Sequence, residues 1–167
     1  GATVRTRAAI VARAAILGNA RLLNGRPGVV VQNGLKAISA TRPLLPRSDI
    51  LGGLALYATS LVEPGHITIT TPGPTFIGGG SDLPARYALS VLTSIMPTRL
   101  VGNFVGAQWT KLVVNQVNAL PAITGRSVQE VVADPRLRRI LTISMRENVA
   151  VGRKTGIRSE SRQGLDN

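Results

Sequence analysis

The sequence predicts an α/β region followed by an all-α region. Three observations indicate this fold class: a β-branched run at Val29–Val31, further strand patterns in the first half, and apolar residues at helical spacing in the second half. The β patterns stop at the glycine-rich stretch Gly78–Asp82, which is typical of a flexible link between domains. The predicted domains are therefore residues 1–80 and 81–167.

The first region begins with a helical pattern over residues 3–23, which the turn residues Asn24–Gly28 bring to an end. Val29–Val31 has the continuous β-branched character of a strand buried on both faces. Gln32–Gly34 breaks this strand at its carboxyl end, where open α/β sheets bind their ligands. The later elements are predicted as a short helix or loop over Leu35–Leu45, a second strand over Ile50–Thr59, a half-exposed strand over His66–Thr71 and a last short strand over Thr75–Gly78.

In the second region a helix from Ser81 to about Met96 leads to a short strand or extended link over Thr98–Val101. The following elements are predicted as a helix over residues 103–120 that ends or kinks at Pro121, a helix capped in the Ser-x-x-Glu manner by Ser127 and Glu130, a helix from Asp134-Pro135 to about Val151, and a frayed tail over Ser159–Asn167. The residues expected to pack inward are Leu89, Val91, Leu92 and Ile95, then Leu112, Val113, Val117 and Leu120, then Leu137, Ile140, Leu141 and Ile143.

Composition excludes several kinds of site. The chain has no cysteine, so it has neither disulfides nor thiolate metal ligands, and one histidine, His66, cannot form a multi-histidine metal centre. We therefore predict no metal site. We interpret His66 as structural or exposed, since it follows a Pro-Gly turn in a strand pattern. No apolar run approaches the roughly 18 residues of a membrane span.

The formal net charge of +12 is the strongest compositional signal. It suits a nucleic-acid-binding module, but the arginines are scattered along the sequence and are not interleaved with aromatic residues. A solvated helix face is the better interpretation of the densest group, which consists of Arg136, Arg138, Arg139, Arg153, Lys154 and Arg158. The same charge also suits an enzyme that attracts anionic substrates or a phosphorylated cofactor.

The candidate site is a polar stripe on the helix over residues 103–120. Lys111, Asn115 and Asn118 stand at i, i+4 and i+7, so in a regular helix all three project from one side. They would offer one ammonium and two carboxamides to an oxygen-rich anion. The alternative is an ordinary solvated stripe, although asparagine is a poor residue in a helix interior. Asn33, at the predicted strand end, is a further polar group that could share this site.

Several segments, taken in order, resemble the ketopantoate reductase (2-dehydropantoate 2-reductase) family. They are residues 29–35 (Val-Val-Val-Gln-Asn-Gly-Leu), 51–53 (Leu-Gly-Gly), 63–67 (Glu-Pro-Gly-His-Ile), 76–78 (Phe-Ile-Gly) and 109–115 (Trp-Thr-Lys-Leu-Val-Val-Asn). The Gln-Asn-Gly and Lys-x-x-x-Asn motifs carry most of the resemblance, which covers roughly residues 15 to 158.

The resemblance implies the C-terminal half of a Rossmann-type nucleotide domain followed by a helical domain like that of 6-phosphogluconate dehydrogenase. It implies NADPH-dependent reduction of a 2-keto acid in pantothenate biosynthesis by a cytoplasmic homo-oligomer, a dimer for instance. Lys111 would be the general acid, and Asn115 and Asn118 would bind the substrate. Asn33 would lie where nicotinamide and substrate meet, and Ala58 would place its backbone against NADP.

The sequence also departs from this family. It lacks the Gly-x-Gly-x-x-Gly turn that holds pyrophosphate, and the later segment with a substrate-binding serine and an acidic residue is missing as well. We therefore expect a chain incomplete at both ends, with weak cofactor binding, possible inactivity and an unpaired sheet edge. A nucleic-acid-binding module and a non-catalytic helical dimerisation unit are the alternatives.

Overall fold

The computed structural model describes residues 14–158. The chain divides into two compact units between Phe104 and Val105. The boundary predicted from the sequence falls after residue 80, but the helix that follows it packs on the sheet of the first unit and so belongs to that unit. The start of the predicted helix over residues 3–23 and the polar tail lie outside the described residues.

The described residues of the first unit form two β-sheets. Its strands are β1 (Gly28–Val31), β2 (Ile50–Ala55), β3 (Ala58–Glu63), β4 (His66–Thr71), β5 (Thr75–Gly78) and β6 (Thr98–Leu100). Four of them form a mixed sheet in the order β1-β2-β5-β6, in which β1 and β2 are parallel, β2 and β5 antiparallel, and β5 and β6 parallel. The other two, β3 and β4, form a separate antiparallel ribbon.

In residues 14–104, three helices and one 3-10 turn accompany these strands. The helices are α1 (Ala20–Leu23), preceded by helical residues 14–18, α2 (Ala37–Thr41) and α3 (Asp82–Thr93), and the 3-10 turn is Arg42–Leu44. Of the short helix or loop predicted over Leu35–Leu45, the structure has a short helix followed by the 3-10 turn. Strand β6 likewise confirms the short extended segment predicted after α3.

The core of the first unit forms where α3 covers the mixed sheet. Leu51 and Ile77, on strands β2 and β5, are fully buried, and Ala85 and Ala88 pack on them from α3. Leu89 and Leu92 complete this inner face as predicted. The prediction was wrong for Val91 and Ile95, which are exposed, because α3 turns its Ala85-Ala88-Leu92 side to the sheet.

Strand β1 is only half-buried, so the prediction of burial on both faces was wrong. It lies at one end of the strand order of the mixed sheet, and Val31 is 49% exposed. Its valines pack closely on β2, because a Cβ at Gly53 would lie 2.7 Å from Cγ2 of Val31. The expected sheet edge is therefore present on β1 within the described residues.

The strand predicted over Ile50–Thr59 is two strands. β2 ends at Ala55, and β3 begins at Ala58 and pairs with β4. Every residue of β3 and β4 is exposed, so the half-buried alternation predicted for His66–Thr71 was wrong. The physical reason is that this ribbon stands apart from the mixed sheet, so that no second layer among the described residues covers either face.

The second unit is helical. Helix α4 (Phe104–Val114) passes into a 3-10 turn (Asn115–Asn118), which is followed by α5 (Ala119–Thr124), α6 (Val128–Ala133) and α7 (Pro135–Lys154). The sequence predicts that the helix ends or kinks at Pro121; it does not end there, since α5 continues to Thr124, but it is interrupted by the 3-10 turn just before. A proline ring collides with the carbonyl four residues earlier in an α-helix, which here is Val117, and the chain tightens into the 3-10 turn at that place.

Capping fixes the starts of α6 and α7. The predicted capping box is confirmed: the backbone N–H of Glu130 donates to Oγ of Ser127 at 3.2 Å, and the backbone N–H of Ser127 donates to Oε2 of Glu130 at 2.7 Å. Asp134 caps α7 through its Oδ1, which accepts from the backbone N–H groups of Arg136 and Leu137. The Ser127 hydroxyl also donates to Oε2 of Glu130 at 2.7 Å, and this bond, with the one from the Ser127 backbone, holds the pKa of Glu130 below its usual value. The backbone bonds from Leu137 and Arg136 lower the pKa of Asp134 in the same way.

The inner face of α7 differs in part from the prediction. Leu141 is buried and Leu137 half-buried, but Ile140 and Ile143 are 52% and 46% exposed. The packed side instead continues along Ser144, Asn148 and Gly152, as the contacts of α4 below show. Small and polar residues of α7 therefore contact α4, where the spacing of apolar residues predicted Ile140 and Ile143.

Candidate active site

Lys111 lies in the last turn of α4 and is half-buried. Burial lowers the pKa of its ammonium group from the usual 10.5, because removal from water disfavours the charged form. A lysine with a lowered pKa releases its proton more readily than an exposed one near neutral pH. Lys111 therefore has the electrostatic character of a proton donor.

Asn115 and Asn118 are the first and last residues of the 3-10 turn that follows α4. Residues three apart eclipse one another in a 3-10 helix, so this turn keeps the two carboxamides on one side. Asn115 also follows Lys111 by one α-helical turn. The predicted stripe is therefore consistent with the backbone, and it extends over roughly 12 Å of axis. Asn115 is half-buried and Asn118 is exposed.

Two contacts with α7 anchor the helix that carries this stripe. Nε1 of Trp109 donates to the carbonyl oxygen of Asn148 at 3.2 Å, and Oγ of Ser144 donates to Oε1 of Gln116 at 3.0 Å. Nε2 of Gln116 donates in turn to the carbonyl oxygen of Leu112 at 3.2 Å, which ties the 3-10 turn to α4. Trp109 and Gln116 are seven residues apart and lie on the side of the helix opposite Lys111.

Gly152 allows this close packing. A Cβ at this position would lie 2.3 Å from Nε1 of Trp109, which is far inside the contact distance. The sequence reasoning missed Trp109, Gln116, Ser144 and Gly152. A glycine inside a helical pattern was the available signal, because it often marks a close approach. The Ser144–Gln116 bond joins residues too distant in sequence for any local pattern to indicate.

Asn33 and Ala58 belong to the first unit. Asn33 is exposed just after the carboxyl end of β1, and Gly34 follows it with φ +91°, a conformation that glycine adopts without strain. Ala58 is exposed at the start of β3, where it pairs with Thr71. The described residues of this unit thus offer a carboxamide at the predicted strand end.

His66 has a structural setting. It is exposed at the tip of the ribbon, where Nδ1 lies 3.6 Å from Oε1 of Glu63. This agrees with its interpretation as an exposed residue. No group of three or more metal-ligating side chains occurs among residues 14–158, and no helix in that range is long and apolar enough to cross a membrane.

The glycine-rich stretch after β5 is a packed turn, and the prediction of a flexible inter-domain link was wrong. Nη2 of Arg42 donates to the carbonyl oxygen of Gly79, and the Ser81 hydroxyl donates to the carboxylate of Asp49. A Cβ at Gly80 would lie 2.8 Å from Oδ1 of Asp49. Close packing within the first unit explains these glycines.

Comparison with known proteins places this chain in a family. The family model described as ketopantoate reductase PanE/ApbA matches residues 12–82, and the model of its C-terminal part matches residues 103–166. Together the two models cover most of the chain. A 2-dehydropantoate 2-reductase from Halobacterium salinarum is 28% identical over 142 residues, which are 82% of this chain and 47% of that protein.

Solved structures show the same likeness. A PanE/ApbA family ketopantoate reductase from Ralstonia eutropha superposes with a TM-score of 0.71 at 26% identity, over 84% of this chain and 47% of that one. A D-mandelate dehydrogenase solved with NADH shares the fold, with a TM-score of 0.78 at 17% identity over 95% of this chain and 54% of that one. The chain spans about half the length of the relatives it matches.

Proposed function

This chain belongs to the ketopantoate reductase family, and we propose that it carries the substrate half of an NADPH-dependent 2-keto acid reductase site. In the proposed reaction 2-dehydropantoate is reduced to pantoate, with Lys111 as the general acid. The observation that supports this proposal best is the half-buried Lys111, whose pKa is lowered, one turn before Asn115. Cytoplasmic location and homo-oligomeric assembly belong to the same proposal.

The chemistry requires a proton at the ketone oxygen. A reduced nicotinamide cofactor, when bound, supplies the hydride that the ketone carbon accepts. Nζ of Lys111 donates its proton to the oxygen as the carbon–oxygen double bond becomes a single bond, so that the product is a secondary alcohol and the lysine is left neutral. Water then restores the ammonium. Partial burial strengthens the attraction between the ammonium and the developing alkoxide, because the local dielectric is lower.

The two asparagines orient the substrate. A 2-keto acid presents a carboxylate and a ketone oxygen, and 2-dehydropantoate also has a hydroxyl group. Carboxamides can donate to the first two and accept from the third. Asn115 and Asn118, stacked along the 3-10 turn, can therefore hold the acid while Lys111 faces the ketone. The net charge of +12 assists capture of the anion.

The described residues include candidates to bind the nicotinamide portion of the cofactor but none for its pyrophosphate. Asn33 offers an exposed carboxamide at a strand end, as the nicotinamide amide requires, and Ala58 has no side chain beyond Cβ to keep a ligand from its backbone. The 167 residues contain no Gly-x-Gly-x-x-Gly turn for the pyrophosphate. Pantoate binding is the test that we propose for these residues, because it does not depend on the pyrophosphate site.

The experiment compares the chain with Lys111→Ala and with Lys154→Ala, a control that removes an equal charge from an exposed lysine. NADPH oxidation with ketopantoate is followed by absorbance, and pantoate binding by NMR shifts of the side-chain amides of Asn115 and Asn118. We expect Lys111→Ala to lower kcat by about 10²–10⁴-fold and Lys154→Ala to leave it unchanged. Equal rates in all three proteins would refute the role of Lys111. Absence of both turnover and pantoate-induced shifts would refute the proposed function.

A further inference from the structure

Three arginines form a line along the outer side of α7. Arg139, Arg146 and Arg153 are seven residues apart, so each lies about 10 Å along the axis from the next and only about 20° around it. All three are exposed. They lie opposite the side of α7 that packs through Leu141, Ser144 and Asn148. The arginines that look scattered along the sequence are thus partly gathered by this helix.

Less polar side chains stand between these arginines. Two shallow, open depressions between the side chains of this helix adjoin each other and share Thr142 and Arg146. The other residues that line them are Pro135, Arg138, Arg139, Ile143, Met145, Val149, Ala150 and Arg153. With arginine at every seventh position and Thr142 and Val149 between, the surface has the spacing of a coiled-coil seam with basic a positions.

The described part of the chain supplies no carboxylate to these three arginines. Two of the described carboxylates lie beside other basic side chains: Oε1 of Glu63 is 3.6 Å from Nδ1 of His66, and Oδ2 of Asp134 is 3.0 Å from Nη1 of Arg126. Glu130 and Asp134 are occupied as helix caps, and Asp49 is bonded to Ser81. The exposed guanidinium groups of this seam are therefore complementary to an acidic partner surface.

We propose that the outer side of α7 is a docking surface for an acidic amphipathic helix of a partner polypeptide. The partner helix carries Glu or Asp at seven-residue spacing, opposite Arg139, Arg146 and Arg153, and presents apolar side chains to Thr142 and Val149. Such pairs contribute orientation and specificity, and the apolar contacts contribute the burial.

Two other occupants fit less well. A second copy of this chain would bring one highly basic surface against another, because each copy has a net charge of +12. Nucleic acid would satisfy the guanidinium groups but would leave Ile143, Met145 and Val149 without apolar partners, and the seam has no aromatic side chain on which bases could stack. The mixture of basic and apolar groups favours a protein helix.

The test uses a fluorescent synthetic peptide of three heptads, with Glu at each a position and Leu at each d position. A matched peptide has Gln in place of Glu. Binding to the full chain is measured by anisotropy at several salt concentrations. We expect the Glu peptide to bind at least about tenfold more tightly than the Gln peptide, with the advantage falling as salt rises.

Two variants with the same net charge identify the surface. Arg146→Glu, at the centre of the seam, should weaken binding of the Glu peptide by roughly tenfold or more, whereas Arg86→Glu, on an exposed face of α3, should not. Circular dichroism confirms that both variants fold. Equal affinity for the two peptides, equal loss in both variants, or no binding would overturn the proposal. Two further outcomes would also overturn it: tighter binding of duplex DNA that Arg146→Glu abolishes, or self-association in sedimentation that the same variant abolishes.

Discussion

Replacing Gly152 by alanine tests the contact that anchors α4 on α7. The added Cβ would lie 2.3 Å from Nε1 and 2.7 Å from Cε2 of Trp109. A comfortable contact requires the indole ring to move by about 1 Å. Because Trp109 is buried, such a shift disturbs its packing and lengthens the 3.2 Å bond from its Nε1 to Asn148.

The expected free-energy change follows from three contributions. Overpacking of a buried site costs about 1–3 kcal/mol, and loss of the indole hydrogen bond costs about 0.5–1.5 kcal/mol. Alanine is better than glycine in a helix by about 1 kcal/mol, which opposes the other two. Gly152→Ala should therefore lower the free energy of unfolding by about 1–3 kcal/mol.

Urea unfolding followed by tryptophan fluorescence measures this free-energy change. The signal comes from the substituted contact itself, since Trp109 is the chain's one tryptophan. Ala150→Gly, on the exposed side of the same helix, gives the alanine–glycine difference without a packing contribution. If Gly152→Ala stabilised the protein by as much as Ala150→Gly destabilises it, the clash would not exist. The inferred anchoring of α4 by Trp109 would then be refuted.

Three further predictions concern the same unit. Pro121→Ala restores a backbone N–H, so residues 115–118 should return to α-helical geometry, which rotates Asn118 by about 60° relative to Asn115. We expect weaker pantoate binding in NMR titrations, with unchanged or higher stability. Unchanged affinity for pantoate would contradict the role of the turn. Ser127→Ala should lower the free energy of unfolding by about 1 kcal/mol in thermal or urea unfolding, because it removes the acceptor of the capping box. Since the pKa values of Glu130 and Asp134 are lowered on folding, the stability that these groups contribute is present above their usual values of 4.5 and 3.8 and is lost as pH falls below them. The loss of stability at acid pH should therefore be smaller in this variant than in the unchanged protein. Because the pKa of Lys111 is lowered on folding, this amine is protonated to a greater extent in the unfolded chain than in the folded one just below pH 10.5. The free energy of unfolding should therefore rise as pH increases towards 10.5. The same rise in Lys111→Met would contradict the burial of the ammonium.

Features encoded within a few residues were predictable from the sequence. The Ser127–Glu130 box, the Asp134 cap and the strands ending at Val31 and Gly78 depend on local spacing, and the structure has all of them. The polar stripe of Lys111, Asn115 and Asn118 stays a prediction, with which the backbone of α4 and the 3-10 turn is compatible.

Burial was less predictable, because it depends on which layer covers a face. The alternating pattern of β4 indicates one buried face, yet the ribbon stands apart from the mixed sheet and Ile67 and Ile69 are each 63% exposed. In α7, Ile140 and Ile143 have suitable spacing, but α4 lies against the opposite side. Local periodicity shows that a face can be buried and does not show whether a partner layer exists.

The anchoring of the candidate site also explains why the two proposals can fail separately. Trp109 and Gln116 bind α7 on the side of α4 opposite Lys111, and the arginine seam lies on the side of α7 opposite those contacts. Lys111 and Arg146 are thus separated by the thickness of two packed helices, roughly 10 Å each, so a peptide on the seam does not touch the lysine. Lys111→Ala should therefore leave the affinity for the Glu peptide unchanged while it abolishes proton donation. A loss of peptide binding in Lys111→Ala would show that the seam and the candidate active site are not independent, and the assignment of the peptide to α7 would be wrong.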